Sequence, residues 1–131
     1  MKLSTRGRYG LKAMYELALN AGTPLSIKCI ADKQDISESY LEQLMALLKK
    51  AGLVSSTRGA QGGYVLTGKP SETTIGEVLR ALEGSTNITE CLDEKHCGNE
   101  CTCVNRPVFA KIQASIDSVL DTMTLEDMLK E

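Results

Sequence analysis

No stretch of this 131-residue sequence approaches the eighteen or so consecutive apolar residues that a membrane span requires. The N-terminal MKLSTRGRYGLK has no apolar run of signal-peptide length either. The expectation is a soluble, cytoplasmic chain with no membrane partner. There is no tryptophan and only one histidine, His96. No paired general acid and base accompanies the thiols, which argues against a small metalloenzyme. Cysteine is scarce outside one segment: Cys29 stands alone, while Cys91, Cys97, Cys101 and Cys103 fall within ECLDEKHCGNECTCVNRP. A chain of this length buries a core without disulfide staples, and in a reducing compartment a dense thiol group binds metal or senses redox state.

The net charge of −2 hides an asymmetry. Residues 1–70 carry ten Lys and Arg against five Asp and Glu, whereas residues 71–131 carry five against twelve. A basic half facing a polyanion and an acidic half with another task fit this balance, although an uneven solvating surface has the same signature.

Apolar spacing predicts a helix from Thr5 to Asn20 through Leu11, Met14, Tyr15 and Ala18, with Gly22 where a C-cap would fall. A short helix follows with Ile27, Ile30 and Ala31 on one face; Cys29 within it reads as a small packing residue. Ser37 is placed to cap a third helix, with Glu38 at its start, Leu41, Leu44, Met45 and Leu48 as its core stripe and Gly52 after its end. Two short helices joined by a tight turn behind a first helix make a helix-turn-helix. The stretch LVSSTRGAQGGYVLT then reads as a hairpin with Arg58 near its tip, the wing of a winged helix. Its glycines lack the Lys-Ser or Lys-Thr pair of a phosphate-binding loop. At the start of the third helix Ser39, Tyr40, Glu42 and Gln43 are offset from the core stripe, and Gln and Glu are suited to adenine and cytosine edges. A solvated face has the same pattern, so the wing and the basic bias carry the DNA reading.

Thr74 and Glu77 form a capping-box pattern ahead of a helix closed by Gly84. Beyond the thiols, Val108, Phe109, Ile112, Ile116, Val119, Leu120 and Met123 recur at steps of three and four, a stripe longer than a small core needs. It could equally pack back on its own domain, but a symmetric partner helix is the simpler home for it, giving a two-fold homodimer. Thr124 with Asp127 starts a short last helix. The expected organisation is a mainly α chain with a small β-hairpin wing: a winged helix-turn-helix DNA-binding domain over 1–84, a cysteine-rich cluster-binding loop over 85–104, and dimerisation and C-terminal helices over 105–131.

The thiol spacing C-x5-C-x3-C-x-C lacks the paired C-x2–4-C knuckles of structural zinc sites. An iron–sulfur cluster accepts ligands from an open loop and is favoured over zinc or a thiol switch, both of which stay open.

MKLSTRGRYGLKAM, ISESYLEQL, GLVSSTRGAQGGY and the C-x5-C-x5-C frame of Cys91, Cys97 and Cys103 together resemble the IscR/NsrR-type family of iron–sulfur winged-helix transcription regulators. The similarity runs from Met1 to about Leu129. It implies a homodimer on a double-stranded DNA operator, with crossing C-terminal helices and a cluster, 2Fe-2S in preference to 4Fe-4S, that alters DNA binding. It places the helix bearing Ser39, Tyr40, Glu42 and Gln43 in the major groove, supported by Arg58. The sequence departs from the pattern at two points. Arg106 stands where the IscR type has a histidine, and a guanidinium is a poor ligand; no Asp or Glu lies between Thr5 and Lys12, where the nitric-oxide-sensing type resembles a cluster with an acid ligand. Cys101 is the first candidate for the fourth ligand and His96 the second. The competing expectation is a clusterless regulator of the same fold, controlled by a protein or metabolite partner, with redox-active thiols.

Overall fold

The computed structural model describes residues 2–89, 92 and 103–130. Eight elements follow in order: α1 (Thr5–Leu19), α2 (Ile27–Gln34), α3 (Glu38–Lys50), β1 (Val54–Thr57), β2 (Gly63–Leu66), α4 (Ile75–Glu83), α5 (Arg106–Thr122) and α6 (Leu125–Lys130). The architecture is the expected one, mainly helical with a two-stranded antiparallel wing. Val54 pairs with Leu66 and Thr57 with Gly63. Leu25 and Tyr64 exchange backbone hydrogen bonds at 2.9 and 2.8 Å, which joins the α1–α2 connection to β2. Among the described residues no helix is long and apolar enough to cross a membrane.

Local chemistry sets the helix starts. The hydroxyls of Ser4, Ser26, Ser37 and Thr74 accept N–H bonds from the first turns of α1 to α4, each satisfying a donor that the helix itself leaves unpaired. Thr74 and Glu77 form the full capping box. At the last helix the Thr124 backbone N–H and hydroxyl donate to Asp127 and hold its carboxyl below the usual value. α1 ends at Leu19 with Asn20 as its cap, earlier than expected from Gly22, which lies in the following turn with φ +86°.

The core is one cluster. Met14, Leu17, Ile30, Leu41, Leu44, Met45, Leu48, Val78 and Leu125 are almost wholly buried, each side chain of this kind contributing roughly 1.5–3 kcal/mol. On α1 the buried face comprises Gly7, Gly10, Ala13, Met14, Leu17 and Ala18, while Leu11 and Tyr15 are only half-buried. The two glycines explain this rotation. α1 crosses so close to α4 that a Cβ on Gly10 would overlap Leu82, and one on Gly7 would meet the Glu83 carboxylate.

Glu83 fastens that crossing. Its Oε1 accepts from the Ser4 N–H at 3.0 Å, the Ser4 hydroxyl at 2.6 Å and the Gly7 N–H at 2.8 Å, so the end of α4 caps the start of α1. Burial pushes this carboxyl up, but the Ser4 and Gly7 donors and the Arg6 charge prevail and hold it below 4.5. Glu83→Ala should lower stability by about 1–2 kcal/mol, a figure discounted for partial exposure. Because the folded pKa is depressed, the contribution is complete above pH 4.5 and disappears as pH falls through the lowered value. Thermal melts of wild type and variant should therefore differ at pH 7 and converge in acid; a difference independent of pH would show that the carboxylate charge is not what holds the crossing.

Candidate DNA-reading and thiol-bearing site

α2 and α3 are joined by a tight turn in which Asp35 takes a left-handed conformation (φ 53°) and the Ile36 N–H donates to the Ala31 carbonyl at 3.0 Å. α2 is fixed to α1 by the buried Glu16, whose carboxylate accepts from Gln34 at 2.5 Å and lies 3.8 Å from Lys33. On α3, Leu41, Leu44, Met45 and Leu48 face the core. Ser39, Glu42 and Gln43 are exposed on the opposite side and Tyr40 is half-buried between. Ser39 and Gln43, four residues apart, share one strip of the surface. The structure thus brings the four candidate readers together at the positive end of one helix. Arg58 is exposed at the tip of the wing, next to Gly59 (φ +108°). The Lys49 ammonium donates to the Ser56 hydroxyl at 2.8 Å, tying the end of α3 to β1.

Of the four clustered thiols only Cys103 lies within the described residues; Cys91, Cys97, Cys101 and His96 lie outside them. Cys103 is half-exposed and unpaired, and its carbonyl accepts the Arg106 N–H at 3.3 Å as α5 begins. Cys29 is half-buried against the core, as a packing residue would be. Among the described residues no three His, Cys, Asp or Glu side chains converge as a metal group. The chemistry of the donor set still fits a cluster, since four thiols in thirteen positions meet the thiolate requirement.

Beside the thiols, sequence reasoning missed Gln113. It is buried on α5, accepting the Ile88 N–H at 2.7 Å and donating to the Thr86 carbonyl at 3.2 Å and to Asp117 at 2.9 Å. Asp117 lies 3.5 Å from Arg80 of α4, which also pairs with Asp121 at 2.5 Å. A single amide thus clasps the chain just ahead of the thiols to α5, and a carboxylate pair carries α5 onto α4. Its sequence signal is a polar residue on the period of Phe109, Ile116 and Leu120.

The long apolar stripe divides. Leu120 is buried and Ile116, partly buried, packs against the chain's own core. Val108, Ile112, Val119 and Met123 stay exposed. Their steps of four, seven and four return to one narrow face.

The whole described scaffold matches a known pattern. The family model Rrf2, described as iron-dependent transcriptional regulator, covers residues 3–131. This chain belongs to the Rrf2 family. Rrf2 proteins are transcriptional regulators and not enzymes, and the fold is their DNA-binding winged helix. The chain is 45% identical to the HTH-type transcriptional regulator CymR of Bacillus subtilis over 129 residues, 98% of this chain and 89% of that protein. The solved structure of that CymR, described as the global cysteine regulator, superposes with a TM-score of 0.83 at 44% identity, covering 98% of this chain and 95% of that one. IscR of T. potens is 46% identical with a TM-score of 0.80, over 99% and 87% of the two chains. The regulator IscR of Aliivibrio salmonicida is 39% identical, over 98% of this chain and 77% of its own length.

Gln113→Leu keeps the volume but leaves the Ile88 N–H and Thr86 carbonyl without their partner, at a cost of about 2–4 kcal/mol. Amide exchange at Ile88 should accelerate strongly while exchange in α3 stays slow. Equal protection of Ile88 in the variant would show that the clasp is not what holds this chain.

Proposed function

We propose that this chain is a cytoplasmic, homodimeric repressor that reads a two-fold DNA operator and whose thiol segment carries an iron–sulfur cluster controlling that binding. The observation that carries the reading is the set of four thiols in a segment whose approach at Ile88 and whose last thiol, Cys103, are both fastened to α5. Cys91, Cys97 and Cys103 would hold the cluster, 2Fe-2S in preference to 4Fe-4S, with Cys101 as fourth ligand and His96 in reserve. Bound there, the cluster supplies a centre whose loss or oxidation reports iron supply or oxidising stress.

The protein's own residues do the rest. Ser39, Tyr40, Glu42 and Gln43 present donors, acceptors and a ring to base edges, and the Arg58 guanidinium meets phosphate from the wing. The basic excess of residues 1–70 makes binding salt-dependent. Gln113 and the Arg80 pairs link the entry of the thiol segment to α4, so a change there shifts how the winged helices are presented. The exposed stripe of α5 supplies the dimer seam.

One observation favours a second reading, a clusterless regulator with redox-active thiols: the 45% identity to a protein described as a cysteine regulator. Anaerobic purification separates the two. The cluster reading expects a coloured protein with stoichiometric iron and sulfide. Its absorbance should be lost in Cys91→Ala, Cys97→Ala and Cys103→Ala and shifted in Cys101→Ser, and operator affinity should differ between holo- and apo-forms. A colourless protein whose operator affinity responds to thiol oxidation establishes the second reading instead.

Ile112→Glu buries an unpaired carboxylate in the proposed seam, and Ile112 is 45% exposed in the single chain, so folding is spared. Sedimentation at micromolar concentration should find a dimer for wild type and a cooperatively melting monomer for the variant. A variant that remains dimeric would place the seam elsewhere.

A further inference from the structure

Tyr40 stands apart from the other candidate readers. Ser39, Glu42 and Gln43 are exposed, whereas the Tyr40 ring is half-buried and packs at the edge of the core. What it meets there is a second aromatic ring from a different helix. Tyr9 of α1 and Tyr40 of α3 lie with centroids 6.1 Å apart and planes at 88°, the edge-to-face arrangement that ring quadrupoles favour. The exposed Lys12, one helical turn beyond Tyr9, carries its ammonium 5.2 Å from the Tyr9 centroid, within cation–π range. Lys12, Tyr9 and Tyr40 therefore form a row running from the basic surface of α1 to the first turn of α3. Both helices are independently anchored, α1 by Glu83 at its start and α3 by the Ser37 cap and its core stripe.

A tyrosine in the first turn of a helix has alternative χ1 wells, and an exposed one exchanges among them rapidly. The Tyr9 ring stands beside Tyr40, edge to face, at the point where such a choice would be made. A fixed ring loses less entropy on docking and presents its hydroxyl at one height along the groove floor.

We propose that Tyr9 is a specificity-determining positioning residue: it holds the Tyr40 side chain in the orientation in which the start of α3 discriminates between base pairs. The proposal rests on the reading of α3 as the base-reading helix, and goes beyond it by assigning discrimination to a residue of α1 that contributes through another side chain.

The probes are a duplex selected by the wild-type protein from a randomised pool, its single-base variants, and unrelated duplex DNA of equal length. Tyr9→Leu retains apolar bulk against the core but removes the ring, and Tyr9→Phe retains the ring. Tyr9→Leu should reduce the ratio of affinities for selected and singly changed duplexes by about three- to tenfold at one or two base pairs, the worth of one aromatic pair. Affinity for unrelated DNA should not change, and Tyr9→Phe should behave as wild type. In Tyr40→Leu the further change Tyr9→Leu should have no additional effect, because the ring it positions is gone. A uniform loss across all duplexes, or an undiminished ratio, overturns the proposal and makes Tyr9 a packing residue. If Tyr40→Leu and Gln43→Ala also leave discrimination intact, the reading of α3 fails and takes this proposal with it; if those two lose discrimination while Tyr9→Leu keeps it, only the role of Tyr9 is refuted.

Discussion

Two backbone hydrogen bonds, from the Ile75 N–H to the Met123 carbonyl at 2.8 Å and from the Leu125 N–H to the Thr73 carbonyl at 3.0 Å, bridge the start of α4 to the end of α5. Closing so long a loop costs entropy, and the Leu125 side chain, fully buried among residues of the winged helix, is what offsets it. The bridge returns the end of α5 to the element that crosses α1 at Gly7 and Gly10. It also brings Gly76 against the Leu120 carbonyl, where a side chain would not fit. α5 is therefore a strut set on the winged helix and joined at its end to the start of α4.

The rest of α5 shows how one helix serves three purposes with adjacent strips of its surface. Leu120 and Ile116 pack on the core, Gln113 holds irregular chain, and the exposed Val108, Ile112, Val119 and Met123 are the strip proposed above as the dimer seam. An amide suits the middle task. The backbone at 86–88 belongs to no helix or strand, so its buried donor and acceptor need side-chain partners, and glutamine offers one of each. Asp117 then takes the remaining amide proton and passes the contact to Arg80.

Legibility in the sequence followed the range of the interaction. Ser37, Thr74 with Glu77 and Thr124 with Asp127 were readable because a cap bonds within three residues of itself. The wing was readable because alternating β-branched residues flank a glycine-rich tip. Glu83 and Gln113 were not, since their partners lie 76 to 79 and 25 to 27 residues away, and no local pattern distinguishes such an acid or amide from a solvated one. The same holds for Ile116: periodicity puts it on an apolar stripe but does not say which side of the stripe faces home. The α1 stripe was rotated for a related reason, as glycine at positions 7 and 10 carries no hydropathy signal although close approach to α4 requires it.

Magnitudes connect this scaffold to the proposed control. Regulators of this kind work with coupling energies of about 1–3 kcal/mol between effector and DNA sites, a factor of roughly five to a hundred and fifty in affinity. The two hydrogen bonds that the Gln113 amide makes with residues 86 and 88, one donated and one accepted, contribute about 1 kcal/mol each in net terms. On the proposed reading, a change of state at the thiols needs only to strain or release that clasp to shift the balance of two arrangements by the required amount. Unfolding of the winged helix is unnecessary, and it would be counterproductive, because a reader with a melted α3 loses specific and unspecific binding together. In the proposed dimer, a clasp of this strength would let the thiol segment alter how the two readers are spaced while each reader stays intact. On the proposed reading the regulatory energy resides in a polar contact weak enough to switch, and the large core stays out of the equilibrium.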